Sequence, residues 1–160
     1  LPYETMREIE LFVLNEARLL DEGEFEAWLD LYAPHGIYWM PSKPNQTDPL
    51  GVASIIYEDH GILSIRVDRL LEARALVLTP MPRTVHLVSN IEILKGEKDS
   101  AEFEVGAAFF CTEIQGGKQR FYAGRQIHHI ARHGDSFRIL RKRVALTNCD
   151  GIHVPMTIPL

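Results

Sequence analysis

The chain predicts an α+β domain whose helices are gathered on one face of a long antiparallel sheet. Before residue 74, two stretches repeat apolar side chains at steps of three and four, whereas from Arg83 onward they alternate with a period of two. The alternating part divides into four long strands, Arg83–Leu94, Ala101–Ile114, Arg120–Arg132 and Phe137–Thr147. Their connections, Gly96-Glu-Lys-Asp99, Gln115-Gly-Gly-Lys118 and His133-Gly-Asp135, have hairpin length, so neighbouring strands run antiparallel. Helices first and a meander afterwards is the order expected of segregated α+β packing. With 160 residues and no internal repeat, residues 1–160 read as a single domain large enough to bury its own core.

Each element has a local reason. Pro2 suits a helix start, and Glu4 and Glu8 complement the positive end of its dipole. Met6, Ile9, Val13, Ala17 and Leu20 then make one apolar stripe, and Gly23 ends the helix. A short second helix presents Phe25, Trp28, Leu29 and Tyr32, and Ala33-Pro-His-Gly36 terminates it. Ile37 to Met40 is a short apolar strand closed by Pro41. Ser42 to Pro49 form a polar surface loop, and Ala53 to Tyr57 a strand or an extended approach. Ile62 to Ala73 has helical spacing, with Ile62, Ile65, Arg69 and Ala73 on one side and Val67, Leu70 and Leu71 on another. Pro80 and Pro82 hold the chain extended ahead of Arg83.

Composition narrows the function. A formal net charge of -5 argues against a general nucleic-acid binder, which needs a basic excess. No run of about 18 apolar residues is present, so no membrane span is expected. No signal peptide is visible, although Leu1 in place of a starting Met leaves room for preceding residues. Cys111 and Cys149 make no disulfide framework. A reducing cytoplasm, with both as small buried hydrophobes, is the simplest setting.

Seven histidines invite a metal reading. His128 and His129 are adjacent on a strand and point to opposite faces, so they cannot hold one ion together. Neither a His-Glu-x-x-His helix nor a Cys-x-x-Cys pair occurs, and Cys149 with His153 is a lone pair in a tail. Nucleophile elbows and phosphate-cradling glycine loops are also absent. One catalytic arrangement remains: a sheet curved over helices encloses a pocket in which Tyr57, Asp59 and His86 do acid–base work, with Asp59 or His86 as base. Against it stand ordinary roles, in which Asp59 caps the following helix, Tyr57 packs and His86 is a hydrogen-bonded sheet residue.

The last hairpin, Phe121 to Asn148, is unusual for its basic residues. Strict alternation puts Phe137, Ile139, Arg141, Arg143 and Ala145 on one face, and Arg138, Leu140, Lys142, Val144 and Leu146 on the other. Cations on both faces interleaved with apolar residues suggest partial burial against a second protein surface.

Four blocks in order resemble one family. The first runs from Glu16-Ala-Arg-Leu-Leu-Asp to Tyr38-Trp-Met-Pro41. Tyr57-Glu-Asp with Arg66-Val-Asp-Arg-Leu70 follows, then Arg83-Thr-Val-His-Leu-Val-Ser-Asn90. The last joins Ala123-Gly-Arg125, Gly134-Asp-Ser-Phe-Arg-Ile139 and Arg141-Lys-Arg-Val144. Together they resemble the small (β) subunit of bacterial aromatic-ring-hydroxylating dioxygenases, the terminal oxygenases of Rieske non-haem iron systems. Departures are Glu58, where members often carry the first of two aspartates, a shorter N-terminus and the tail from Gly151 to Leu160.

The resemblance implies a cone-like fold shared with nuclear transport factor 2, cystatin, scytalone dehydratase and ketosteroid isomerase. It implies a non-catalytic cytoplasmic subunit without cofactor or metal of its own, bound to a large α subunit in an α3β3 assembly with β–β contacts. The [2Fe-2S] Rieske cluster and mononuclear Fe(II) are then expected on that α subunit, and the whole enzyme would dihydroxylate an aromatic ring, such as a benzoate, using O2 and NAD(P)H. Within the family, electrons pass between neighbouring α subunits, so assembly geometry matters. Expected interface residues are Trp39 as an apolar anchor and Arg69, Arg83, Arg125, Arg141 and Arg143 for carboxylate pairing. The competing reading is a free-standing enzyme or ligand-binding module of the same cone, akin to an isomerase or dehydratase, using Tyr57, Asp59 and His86.

Overall fold

The computed structural model describes residues 1–76 and 80–160. Helix α1 (Tyr3–Asp21) buries Ile9, Val13, Ala17 and Leu20, the stripe its spacing predicts, and adds Phe12 and Leu19. Met6, at the exposed end of that stripe, is half-exposed. Gly23 takes a left-handed φ of +73°, which lets the chain turn into the five-residue α2 (Phe25–Leu29).

Strand β1 (Tyr32–Met40) starts five residues earlier than the sequence suggests. The segment from Ala33 to Gly36 therefore interrupts a strand and does not end a helix. β1 pairs in parallel with β6 at Tyr32 and again from Ile37 to Trp39, with a register shift between them. Pro34 has no N–H for the ladder, and a bulge is where a strand tolerates that loss.

β2 (Ile56–Asp59) pairs antiparallel with β1. It leads into α3 (His60–Leu76), longer at both ends than expected, which buries Leu63, Val67 and Leu70 and leaves Ile62 and Ile65 exposed. The meander follows as the hairpin lengths predict: β3 (Arg83–Lys95), β4 (Glu102–Gln115), β5 (Lys118–His133) and β6 (Ser136–Leu146). All three successive pairs are antiparallel. The six strands lie in the order β2-β1-β6-β5-β4-β3, with α1 against β3 and β6, and α3 against β1 and β2. No helix among the described residues is long and apolar enough to cross a membrane.

The face assignment of β6 needs correction. Ile130 pairs with Ile139 and His129 with Arg141, so Leu140 is an extra residue in the ladder. One inserted residue reverses the parity of everything after it. Phe137 and Ile139 consequently share the helix-covered face with Lys142, Val144 and Leu146, all buried, while Arg141, Arg143 and Ala145 face outward. On the inner face Phe137 meets Phe12 and Phe103 edge-on, with ring centroids 5.6 and 6.0 Å apart.

The tail closes the same core. Ile158 and Leu160 are buried, and the Leu160 N–H donates to the Tyr38 hydroxyl at 3.0 Å. Arg66 forms a two-pronged ion pair with Glu58 and donates from Nη1 to the Met156 carbonyl at 3.3 Å. Arg66, paired with the glutamate that departs from the family pattern, thus ties β2, α3 and the tail together.

Gly124 explains its own block. A methyl group there would be driven into the backbone carbonyl of Ala145 on β6, and backbone has little room to yield. We expect Gly124→Ala to destabilise the fold by about 1–3 kcal/mol, the usual cost of overpacking. A urea-unfolding midpoint within error of wild type would refute this.

Candidate functional site

Inside the cone the most heavily engaged polar group is Glu16, which sits on the apolar stripe of α1 and is fully buried. Its Oε1 accepts from the Lys142 ammonium at 2.6 Å and from the Trp28 indole N–H at 2.8 Å. Its Oε2 lies 3.5 Å from His128 Nε2. Lys142 also stands 5.9 Å from the centre of the Tyr38 ring. Four elements therefore meet at one carboxylate: α1 supplies the anion, α2 the indole, and β5 and β6 the bases.

Burial opposes the ionisation of Glu16, but Lys142 and His128 outweigh it and hold the carboxyl below its ordinary range. Burial is also the main reason His128 loses its proton more readily than a free imidazole, with Glu16 only partly compensating. Both shifts make the fold acid-sensitive. Unfolded chains protonate His128 below its ordinary value of 6.5 while the native chain resists, so stability falls as the pH drops through that value. Glu16 adds stability above its ordinary 4.5, which is lost as the pH falls through its depressed native value. Urea midpoints should therefore be level between about pH 7 and 8, decline below 6.5 and fall further below 4.5; a flat profile from pH 7 to 5 would contradict it.

The acid–base trio does not assemble. Tyr57 and Asp59 lie on β2 and His86 on β3, opposite edges of the sheet. Asp59 Oδ1 accepts from the Ile62 N–H at 2.9 Å and so caps α3. Tyr57 is 42% exposed beside an open hollow formed with residues 49–54. The His86 Nδ1 meets Asp21 Oδ1 at 2.6 Å, and Asp21 also accepts from Thr84 and from the His86 backbone. Asp59 and His86 thus have structural duties at opposite edges of the sheet, Tyr57 is exposed at the β2 edge, and the free-standing enzyme reading loses its site.

The expected interface residues divide between several surfaces. Trp39 is a correction, because it is completely buried within this chain and is not offered to a partner. Its indole N–H donates to Ser54 Oγ at 2.9 Å, and the Arg141 and Arg143 guanidinium groups stand 5.8 and 5.3 Å from its ring centre. It anchors the loop between β1 and β2. Arg69 is exposed on α3 beside a groove of about 240 Å³ shared with Ile62, Ile65 and Leu70. Arg83 is exposed at the start of β3, while Arg125, Arg141 and Arg143 project from the outer sheet face.

That outer face also exposes large apolar side chains. Val85 pairs across β4 with Thr112 and then with Phe121, and Leu87 with Phe110 and then with Ala123, so these residues share one surface. Val85 is 55% exposed, Leu87 64% and Phe121 61%, and the Phe110 and Phe121 rings are 5.6 Å apart. Arg83 and Arg125 stand at its margins.

Residues 15–150 match the family described as the ring hydroxylating beta subunit. The chain belongs to that family. It is 33% identical over 147 residues to the 2-halobenzoate 1,2-dioxygenase small subunit of Burkholderia cepacia, with 89% of this chain and 87% of the relative covered. Among solved structures, the β subunit of benzoate 1,2-dioxygenase from Burkholderia mallei superposes with a TM-score of 0.74 and 28% identity, covering 91% of this chain and 93% of that one. An NTF2-like protein with a cystatin-like fold from Novosphingobium aromaticivorans superposes with a TM-score of 0.60 and 17% identity over 89% and 81% of the two chains, a likeness of fold alone. The cone expected from the resemblance is thus the fold observed.

The donor set of this β subunit fits neither of the iron groups that the resemblance places on the large subunit. A Rieske cluster needs two cysteines and two histidines, and a mononuclear iron site two histidines and a carboxylate. Among the described residues no three His, Cys, Asp or Glu side chains gather as a metal site. Burial pushes the Cys111 thiol up to about 12, away from the thiolate a metal requires. His153 contacts the Cys149 backbone carbonyl at 3.3 Å and not its sulfur.

The Glu16–Lys142 pair is the feature that reading the sequence residue by residue missed. One signal was present: Glu16 occupies a position on the stripe of Val13, Ala17 and Leu20. Phe137 and Ile139 join Lys142 on the inner face only through the Leu140 bulge, which the sequence does not mark.

Proposed function

We propose that this chain is the structural β subunit of an aromatic-ring-hydroxylating dioxygenase, non-catalytic itself, which holds large α subunits in register for dihydroxylation. The observation that carries the reading is the exposed apolar outer face of the sheet in a member of this family. A solvated module has no use for Val85, Leu87, Phe110 and Phe121 side by side in water, whereas a scaffold subunit does. The [2Fe-2S] cluster and the mononuclear Fe(II) belong on the α subunit, since the donors of this chain fit neither. The assembly is α3β3 with β–β contacts, working in the cytoplasm. Its ring substrate is a carboxylated aromatic, a reading supported by relatives named for benzoate and 2-halobenzoate oxidation.

Arg83, Arg125, Arg141 and Arg143 suit bidentate pairing with carboxylates of neighbouring subunits. Arg69, beside its separate groove on α3, is assigned to a second contact. Co-expression with a Rieske-type large subunit and purification through a tag on this chain tests the proposal. A red-brown complex containing both chains is expected, with this chain colourless on its own. Recovery of this chain without the large subunit, from cells producing both, would overturn the reading.

A further inference from the structure

The loop between β1 and β2, residues 41–55, is braced along its whole length. At its base the Ile55 N–H donates to the Met40 carbonyl at 2.9 Å, and the Ser42 hydroxyl to the Ala53 carbonyl at 2.5 Å. From the sheet, Arg143 Nη2 donates to the Gln46 carbonyl at 2.6 Å, and the buried Trp39 indole to Ser54 Oγ. The tip is built on Asp48. Its carbonyl accepts from Gln46 Nε2 at 3.0 Å, and its Oδ1 accepts from the Leu50 N–H at 2.9 Å.

All this bracing ends on an apolar side chain in water. Leu50 is 87% exposed, and Pro49, Val52 and Tyr57 stand beside it around an open hollow. Loop tips are ordinarily small or polar and free to move. A large apolar residue on a tip already fixed by hydrogen bonds has given up beforehand much of the ordering entropy that docking costs. That is the preparation an anchor residue needs.

Charge narrows the partner. Lys43 at the base of the loop, with Arg125 and Arg141 on the adjoining sheet face, enters no ion pair among the described residues. Asp48 is the one acidic residue in the loop sequence. The complementary surface is therefore an apolar socket edged by carboxylates. On a second copy of this chain, the apolar surface from Val85 to Phe121 is edged by Arg83 and Arg125, so docking there would set cations against cations.

We propose that the braced loop is a docking finger, with Leu50 as the anchor that enters an apolar, acid-edged socket on the large subunit. The identity of that partner rests on the β-subunit reading above. The loop leads into β2, whereas Val85 and Leu87 lie on β3 at the opposite edge of the sheet, so the finger is a contact separate from that apolar surface.

Competition for the large subunit tests this. Wild-type and variant chains are co-expressed with it, and their ratio in the purified complex is read by mass. Leu50→Asp alters only an exposed tip, so it is expected to keep the wild-type urea midpoint while being taken up about tenfold less. Leu50→Met keeps the tip apolar and is expected to be taken up like wild type. Equal uptake of the Leu50→Asp and wild-type chains overturns the proposal. So does a Leu50→Asp defect confined to self-association of this chain, read by sedimentation velocity without the large subunit, an outcome assigning the tip to a second copy. A wild-type chain that joins no large subunit at all would instead remove the β-subunit reading itself.

Discussion

Truncation of Lys142 to alanine is expected to cost about 3–5 kcal/mol, because it strands a fully buried carboxylate with no counter-charge. A domain of this size is stable by about 5–15 kcal/mol, so the loss is a large fraction of the whole. Glu16 would retain the Trp28 indole and the edge of His128, neither of which replaces an ammonium at 2.6 Å. Neutralising the carboxylate at the same time should relieve most of the penalty. Glu16→Gln with Lys142→Met keeps an acceptor for Trp28, leaves no buried charge unpaired and fills the same volume. Urea unfolding of the single and double variants measures the difference. A Lys142→Ala loss below about 1 kcal/mol would mean that water reaches the pair, contrary to its burial.

Substituting Phe121 with aspartate should act on assembly, with little effect on the fold. The ring is 61% exposed and its neighbours are Phe110 and the outer face of β5, so the folded monomer loses little. A carboxylate placed at the centre of an apolar contact would have to be desolvated without a partner. Loss of one aromatic anchor at such a position costs about 2 kcal/mol or more, roughly 30-fold in affinity. Binding of the variant to the large subunit, measured against wild type at equal concentration, should fall by at least that factor with an unchanged unfolding midpoint. Equal binding would exclude the Val85, Leu87, Phe110 and Phe121 surface from the subunit contact.

The meander was legible because hairpin lengths and period-two alternation are local signals, and β3 to β6 follow them within a few residues. The pairing of β1 with β6 was not, since Tyr32 and Ile139 meet across more than a hundred residues and a parallel pair leaves no turn in the sequence to mark it. The Leu140 bulge was hidden for a similar reason. Alternation looks unbroken in the sequence, and only the register against His129 and Ile130 reveals the extra residue. That single residue brought Phe137 and Ile139 onto the inner face beside Lys142, which strict alternation groups with Arg138 and Leu140. Trp39 was misjudged because an aromatic two residues before Pro41 reads equally well as an anchor for a partner or for its own loop. The Tyr57, Asp59 and His86 trio failed on topology, since sequence order gave no hint that β2 and β3 are opposite edges.

Native mass spectrometry of the co-expressed oxygenase tests the central claim most directly. The account predicts one dominant species holding three copies of this chain and three of the iron-bearing large subunit. Large subunits assembled without this chain, with this chain monomeric beside them, would contradict it.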